Sequence, residues 1–132
     1  LGQLRQEVGP NSVSELRSRA SKFLEMSQLS QALSCLKSAL GLAISAQLPT
    51  EDIIEIQARL SLIEVQQGQF SSALNYLQLA TQLADSVTLH TLTRRILGSV
   101  RNRVERKIKR AIREELVSQF EPNRFQQVAW PQ

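Results

Sequence analysis

The stretch GQFSSALNYLQLA, residues 68–80, decides the fold, because an upstream stretch has the same arrangement. The upstream stretch is SQLSQALSCLKSALGLA, residues 27–43. Apolar and small residues recur in both at steps of three and four, so the sequence predicts the same amphipathic helix twice, 41 residues apart. With Gly68 aligned on Ser27, the coinciding pairs are Phe70 with Leu29, Ala73 with Ala32, Leu74 with Leu33, Leu77 with Leu36 and Ala80 with Ala39.

The composition favours long helices in a single domain. The 132 residues include 5 Gly and 4 Pro, and 42% of them are hydrophobic and 21% charged. These proportions are ordinary for a soluble globular protein. No run of about 18 apolar residues is present, so no membrane span is predicted. Because the chain begins at Leu1 and not at Met, we expect a processed chain or an excised domain.

Turn signals divide the chain into about five predicted helices. The S-x-x-E pattern at Ser12 and Glu15 predicts a capping box that starts the first helix. Proline separates the second and third helices, Gly68 ends the third, and Pro122 stops the fifth near Gln119. The predicted domain, residues 1–120, therefore consists of a hairpin over 12–46, a hairpin over 50–86 and a long basic helix over 90–119, with a tail over 121–132.

Small residues return at fixed places in both hairpins, where a methyl group lets helix backbones approach closely. The second hairpin has Ser61, Gly68, Phe70, Ala73, Tyr76 and Ala80, and the first has Ala20, Ser27, Leu29, Ala32, Cys35 and Ala39. Over residues 13–85 this pattern resembles the tetratricopeptide repeat family. The spacing of 41 residues exceeds the family's 34, the early Trp is missing, and Ser27 replaces the turn Gly. A plain four- or five-helix bundle is the alternative interpretation.

The resemblance implies an all-α fold of two stacked hairpins whose first helices form a concave binding surface. Because two hairpins are fewer than the usual three, the fifth helix is expected to cap the stack. Its predicted apolar ridge comprises Leu89, Leu92, Ile96, Val100, Val104 and Ile108. The residues at the family's binding positions are Arg17, Ser21 and Leu24 in the first helix, and Arg59, Leu62 and Gln66 in the third.

Charge is unevenly distributed around the net value of +4, with an acidic middle third and a basic last third. A solvated outer helix surface would explain the basic residues. The functional alternatives are contacts with an acidic protein surface, then nucleic acid, then an anionic membrane, because the helix lacks aromatic residues. The basic patch on the fifth helix consists of Arg95, Arg103, Arg106, Lys109, Arg110 and Arg113.

Residues that support catalysis or metal binding are sparse. His90 is the only histidine and Cys35 the only cysteine, so neither a His-based metal cluster nor a nucleophile–base pair is expected. Glycine-rich phosphate loops are also missing. Cys35 lies at an apolar position, and a lone cysteine favours a reducing, cytoplasm-like intracellular compartment, with organelle import left open. We therefore expect no enzyme, cofactor or metal.

The sequence predicts a non-catalytic adaptor module that binds a partner protein or peptide through its concave surface. One alternative is a self-assembling scaffold, in which the acidic middle of one copy meets the basic helix of another. A second alternative is a nucleic-acid-associated domain that uses the basic helix. The tail contains Trp130, which either folds back onto the domain or docks into another chain.

Overall fold

The structure is a computed structural model that describes the backbone of residues 10–129 and the side chains of residues 12–119. The described backbone forms five α-helices and no strand, which confirms the all-α prediction. Predictions for the first nine residues and for the side chains of the tail, including Trp130, lie outside this part. The helices are α1 (Pro10–Glu25), α2 (Leu29–Ser45), α3 (Thr50–Gln66), α4 (Phe70–Asp85) and α5 (Thr91–Ala129).

Two helix ends differ from the predicted ones. Helix α1 begins at Pro10, so Ser12 lies inside its first turn and does not cap it. Proline suits the first turn of a helix. The backbone N–H groups of that turn have no acceptor within the helix, so the N–H that proline lacks is not needed there. Helix α5 continues past Pro122 to Ala129. A proline inside a helix removes one backbone hydrogen bond and crowds the preceding turn, and here the helix continues in spite of that cost.

The turns inside the two hairpins have the same geometry at an interval of 41 residues. Ser27 and Gly68 both have left-handed backbones, with φ values of 58° and 80°. This conformation lets later amides bond carbonyls that the helix end leaves free. Gln47, after α2, is left-handed too, with a φ of 54°. The matching bonds are Gln28 N–H to the Phe23 carbonyl and Gln69 N–H to the Glu64 carbonyl, both at 2.8 Å.

Two apolar cores share the central helix α3. The first core lies among α1, α2 and α3, and the second lies among α3, α4 and α5. Helix α5 packs chiefly against α3 and less against α4. The four alanines of the duplicated stretch, Ala32, Ala39, Ala73 and Ala80, are 0% exposed. They allow the close helix approach for which the sequence analysis selected them.

The apolar ridge of α5 follows the predicted period, but one of its members is wrong. Leu92 is 67% exposed, whereas Leu97 is 5% exposed. The cause lies at the start of the helix, where Thr93 donates a hydrogen bond to Glu51 of α3 at 3.1 Å. This bond turns Thr93 towards α3, and its neighbour Leu92 points away. The buried positions of α5 are Thr93, Leu97, Val100 and Val104, and Leu89, just before the helix, is buried as well.

The helices at the two ends present polar outer surfaces, in contrast to central α3. Helices α3 and α5 begin 41 residues apart, which makes their positions comparable. The α3 residues Ile54, Ala58, Ser61 and Val65 are buried, while Arg95, Ser99, Asn102 and Arg106 at the same interval in α5 are exposed. Likewise, Ile56, Leu60 and Ile63 are buried, while Glu15, Arg19 and Lys22 of α1 are exposed. Polar outer surfaces of this kind are typical of terminal capping helices.

Candidate interaction groove

The six residues predicted to bind a partner lie along two neighbouring depressions on one side of the molecule. The α1–α3 cleft, of about 480 Å³, contains Arg17, Ser21 and Arg59. The α3–α5 groove begins with a depression of about 430 Å³ that contains Leu24, Arg59, Leu62 and Gln66. Arg59 lines both depressions, so the predicted residues form a continuous surface.

One arginine of the α1–α3 cleft already forms an ion pair within the chain. The Arg17 guanidinium donates to the Glu55 carboxylate at 3.0 Å, and both side chains are about one quarter exposed. An ion pair at this exposure contributes about 0.2–1 kcal/mol to stability. Asp52 also lines this cleft. Arg17 therefore already has an anionic partner, and the cleft is of mixed charge.

The α3–α5 groove combines an apolar floor with cationic walls. Its first depression is floored by Ile96 and Val100 of α5, together with leucines of α1 and α3. A second depression, of about 320 Å³, continues the groove along α5 and shares Leu62, Gln66 and Arg103 with the first. The cationic residues that line the groove are Arg59, Arg95, Arg103, Arg106, Lys107 and Arg110.

None of these six cations has an anionic partner in the described part of the chain. The ion pairs found there join Arg17 to Glu55 and His90 to Glu51, and neither pair lies at the α3–α5 groove. No acidic side chain between residues 12 and 119 lines the groove either. Like charges held close together repel one another, so this surface favours an anionic occupant.

The groove brings together two sets of residues that sequence reasoning treated separately. Ser21, Leu62 and Arg103 lie 41 residues apart in α1, α3 and α5, and each lines a depression. Helix α5 thus continues the surface made by the first helices of the hairpins. Lys107 was not among the predicted residues, although it follows Gln66 at the same interval. That interval was the signal that could have identified it.

Two members of the predicted basic patch lie elsewhere. Lys109 and Arg113 are exposed and line neither depression of the groove. At 100° per residue, Lys109 lies about 120° around α5 from Arg103. Arg113, in contrast, follows Arg106 by two turns on the same side and lies beyond Arg110, the last residue that lines the groove. No ion pair joins Lys109 to Glu105 in the described residues. Four of the six predicted cations therefore line the groove, and two do not.

Most acidic residues of the middle third are engaged within the chain. Glu51 accepts hydrogen bonds from the His90 amide at 2.9 Å and from the Thr93 hydroxyl, and it thereby caps α5 and not its own helix. The His90 bond in particular holds the pKa of the Glu51 carboxyl below its ordinary value of 4.5, although partial burial acts in the opposite direction. Glu55 is paired with Arg17, and Glu64 is buried. Few carboxylates of this region remain free to contact another copy.

Titratable groups elsewhere do not assemble into a reactive site in the described residues. No group of three or more His, Cys, Asp or Glu residues lies close enough to hold a metal ion there. The His90 side chain is exposed, and Cys35 is half-buried at the edge of the first core. Burial raises the pKa of the Tyr76 phenol, and the charge of Glu64 raises it further. These features belong to helix packing and not to the groove.

No protein-family description, curated protein or solved structure matches this sequence or fold. Among the described helices, none has a stretch that is both long and apolar enough to cross a membrane.

Proposed function

We propose that this chain is a non-catalytic interaction module, similar to tetratricopeptide repeats, which binds a segment of a partner protein in the α3–α5 groove. The observation that supports this function is the groove itself, where an apolar floor lies between cations that have no anionic partner among the described residues. Protein-binding surfaces typically place apolar anchors at the centre and polar groups around them. The groove has this arrangement, with Leu62 and Ile96 on its floor and arginines along its walls.

The packing of the surrounding helices also supports a binding role. Helix α3 is buried along most of its length and contacts both cores, which fixes the residues that it presents to the groove. Helix α5 is held to it at the start by Glu51 and to α4 by a hydrogen bond from Arg101 to Thr81 at 3.1 Å. A preformed groove loses little conformational entropy when a ligand binds.

Self-assembly through the acidic middle third is the weaker interpretation. It requires free carboxylates on α3, but Glu51 and Glu55 have partners within the chain. Glu51 and Glu55 would have to release these partners and Glu64 is buried, which leaves a second copy Asp52 and Asp85 in this region. We therefore place the partner in a different protein.

Photo-crosslinking tests the proposed function. A photoreactive benzoylphenylalanine replaces Gln66, which lines the groove, or Gln78, an exposed residue of α4 outside it. After illumination in the native extract, the Gln66 variant is expected to form a discrete covalent adduct that the Gln78 variant does not form. Mass spectrometry then identifies the partner and the crosslinked segment.

A pair of second substitutions shows whether the adduct depends on the apolar floor. Leu62→Ser removes part of the floor, while Leu79→Ser alters an exposed leucine outside the groove. Only Leu62→Ser should abolish the adduct, with both variants checked for folding by circular dichroism. Equal adducts from the two labelled positions, or none from Gln66, would contradict the proposed function. A nuclease-sensitive adduct would favour nucleic acid.

A further inference from the structure

The charge in the α3–α5 groove increases from one end to the other. Arg59 and Arg95 flank the end nearest α1, where most of the apolar floor is found. The far end adds Arg106, Lys107 and Arg110 beside the shared Arg103, with less apolar surface. The groove is therefore asymmetric, with an apolar half and a strongly cationic half.

We propose that the groove recognises an acidic amphipathic segment, whose apolar residues lie on the Ile96 half and whose carboxylates lie on the Arg103–Arg110 half. This inference rests on the proposed function and names the chemistry of the partner. Arginine guanidinium groups bind carboxylates with paired, charge-assisted hydrogen bonds, so several arginines in a row select several carboxylates. Binding also relieves repulsion among the cations themselves.

The size of the groove limits the segment. From Ile96 to Arg110 the axis of α5 rises about 20 Å, at 1.5 Å per residue. An extended peptide covers this distance with about six residues, at roughly 3.3 Å each, whereas a helical one needs about fourteen. The segment is therefore short in either conformation, with its apolar and acidic residues separated along the chain.

The aliphatic floor of the groove favours a protein segment over a nucleic acid as the ligand. Phosphates would satisfy the cations equally well, but single-stranded nucleic acids bind grooves by stacking bases on aromatic side chains. Among the described side chains, no aromatic residue lines either depression of the groove. The aliphatic floor instead fits leucine, isoleucine or valine side chains of a peptide.

Selection from a random peptide library tests the inference with matched charge variants. Arg103→Glu with Arg106→Glu reverses two groove cations, and Lys109→Glu with Arg113→Glu reverses two cations of the same helix outside the groove. Both double variants change the net charge equally and replace exposed residues, so neither removes core packing. Peptides selected on the wild-type chain are expected to be enriched in both acidic and aliphatic residues.

Affinity measurements on the selected peptides decide the outcome. We expect Arg103→Glu with Arg106→Glu to weaken binding by about tenfold or more, and the control pair to weaken it by less than about threefold. Selected peptides that are neutral but still depend on Arg103 would overturn the acidic partner and leave the proposed function standing. Peptides that bind all variants equally would overturn both. Tighter groove-dependent binding of a mixed-sequence single-stranded oligonucleotide would overturn the inference in favour of nucleic acid.

Discussion

Ser27 holds the same left-handed backbone that Gly68 holds in the second hairpin, but it carries a side chain. A Cβ atom disfavours this conformation by about 1 kcal/mol relative to glycine. The turn nevertheless forms, because the amides of Ser27 and Gln28 bond carbonyls at the end of α1. The first hairpin therefore closes with a residue that does not favour its own conformation.

Replacing Ser27 by glycine should stabilise the chain. We expect Ser27→Gly to raise the free energy of unfolding by about 0.5–1 kcal/mol, because the strain is removed and the hydrogen bonds remain. The opposite kind of change in the second hairpin, Gly68→Ala, should lower the free energy of unfolding by about 1 kcal/mol. Open space surrounds Gly68, so only the backbone conformation opposes the added methyl group. Urea denaturation measures both. A destabilised Ser27→Gly variant would contradict this explanation.

Glu51 makes stability depend on pH. Its pKa lies below the ordinary value in the folded chain, so its ionised form favours folding above about pH 4.5, and this contribution disappears as the pH falls through the folded pKa. Glu51→Gln should therefore lower the free energy of unfolding at neutral pH, and the difference from wild type should shrink in acid. Urea denaturation at several pH values measures it. A difference that is constant with pH would count against the cap on α5.

At the level of single residues, the sequence predicted backbone conformations better than it predicted the contacts of side chains. Gly68 was predicted to end its helix, because glycine favours the left-handed conformation found there. Gln47 adopts the same conformation, but nothing in its side chain predicts it. Glu51 and Asp52 occupy the first turn of α3, where a local pattern favours carboxylates that interact with their own helix. The actual partners of Glu51, His90 and Thr93, are about forty residues away, and no local pattern specifies a contact at that distance.

At the level of the helices, the sequence predicted the spacing of the apolar residues in α5 correctly, but not which of them begin the buried side. Its steps of three and four residues predicted an apolar ridge, and Val100 and Val104 are buried as expected. The phase at the start of the helix was wrong, because leucines occur at both 92 and 97 and either can begin the ridge. The hydrogen bond from Thr93 to Glu51, which resolves this choice, belongs to tertiary structure.

Alanine substitutions at the two leucines test the phase. Leu97→Ala should lower the free energy of unfolding by about 2–5 kcal/mol, because it removes a buried side chain and leaves a cavity. Leu92→Ala should change it by less than about 0.5 kcal/mol, since the side chain is exposed. Thermal and urea denaturation measure both variants. Similar losses at the two positions would mean that α5 is rotated from the orientation described above.

At the level of the whole molecule, two cores joined by α3 should give two regions of separable stability. Leu36 lies in the first core and Leu77 in the second, at equivalent places 41 residues apart. Chains built from neighbouring hairpins respond to local damage mainly in the damaged unit and its neighbour. The two positions therefore form a matched pair.

Hydrogen exchange detects this separation. Leu36→Ala should reduce amide protection mainly in α1 and α2, and Leu77→Ala mainly in α4 and α5, with each change costing about 2–5 kcal/mol overall. Helix α3 should lose protection in both variants. Mass spectrometry of exchanged peptides gives the pattern. Uniform loss along the whole chain in both variants would indicate a single cooperative unit instead.

The sequence predicted most residues of the groove but not the groove itself. Leu62 and Gln66 came from the family resemblance, and Arg103 came from the charge of α5, as separate surfaces. Their meeting depends on α3 and α5 lying side by side, which follows from packing of the second core. A linear charge pattern contains no distance between helices, so the two sets could be combined only in the folded chain.

The charged outer surfaces of α1 and α5 have a consequence for protein engineering. If further copies of the α3–α4 hairpin were fused in tandem after α5, they would contact Arg95 and Arg106 at the positions where the array needs aliphatic side chains. Elongation would therefore require grafting Ile54 and Val65 of α3, with their small neighbours, onto the corresponding sites of α5. Without that graft, the appended copies should not pack against α5. They should then unfold independently of the original domain, and the cooperativity of thermal unfolding should not increase.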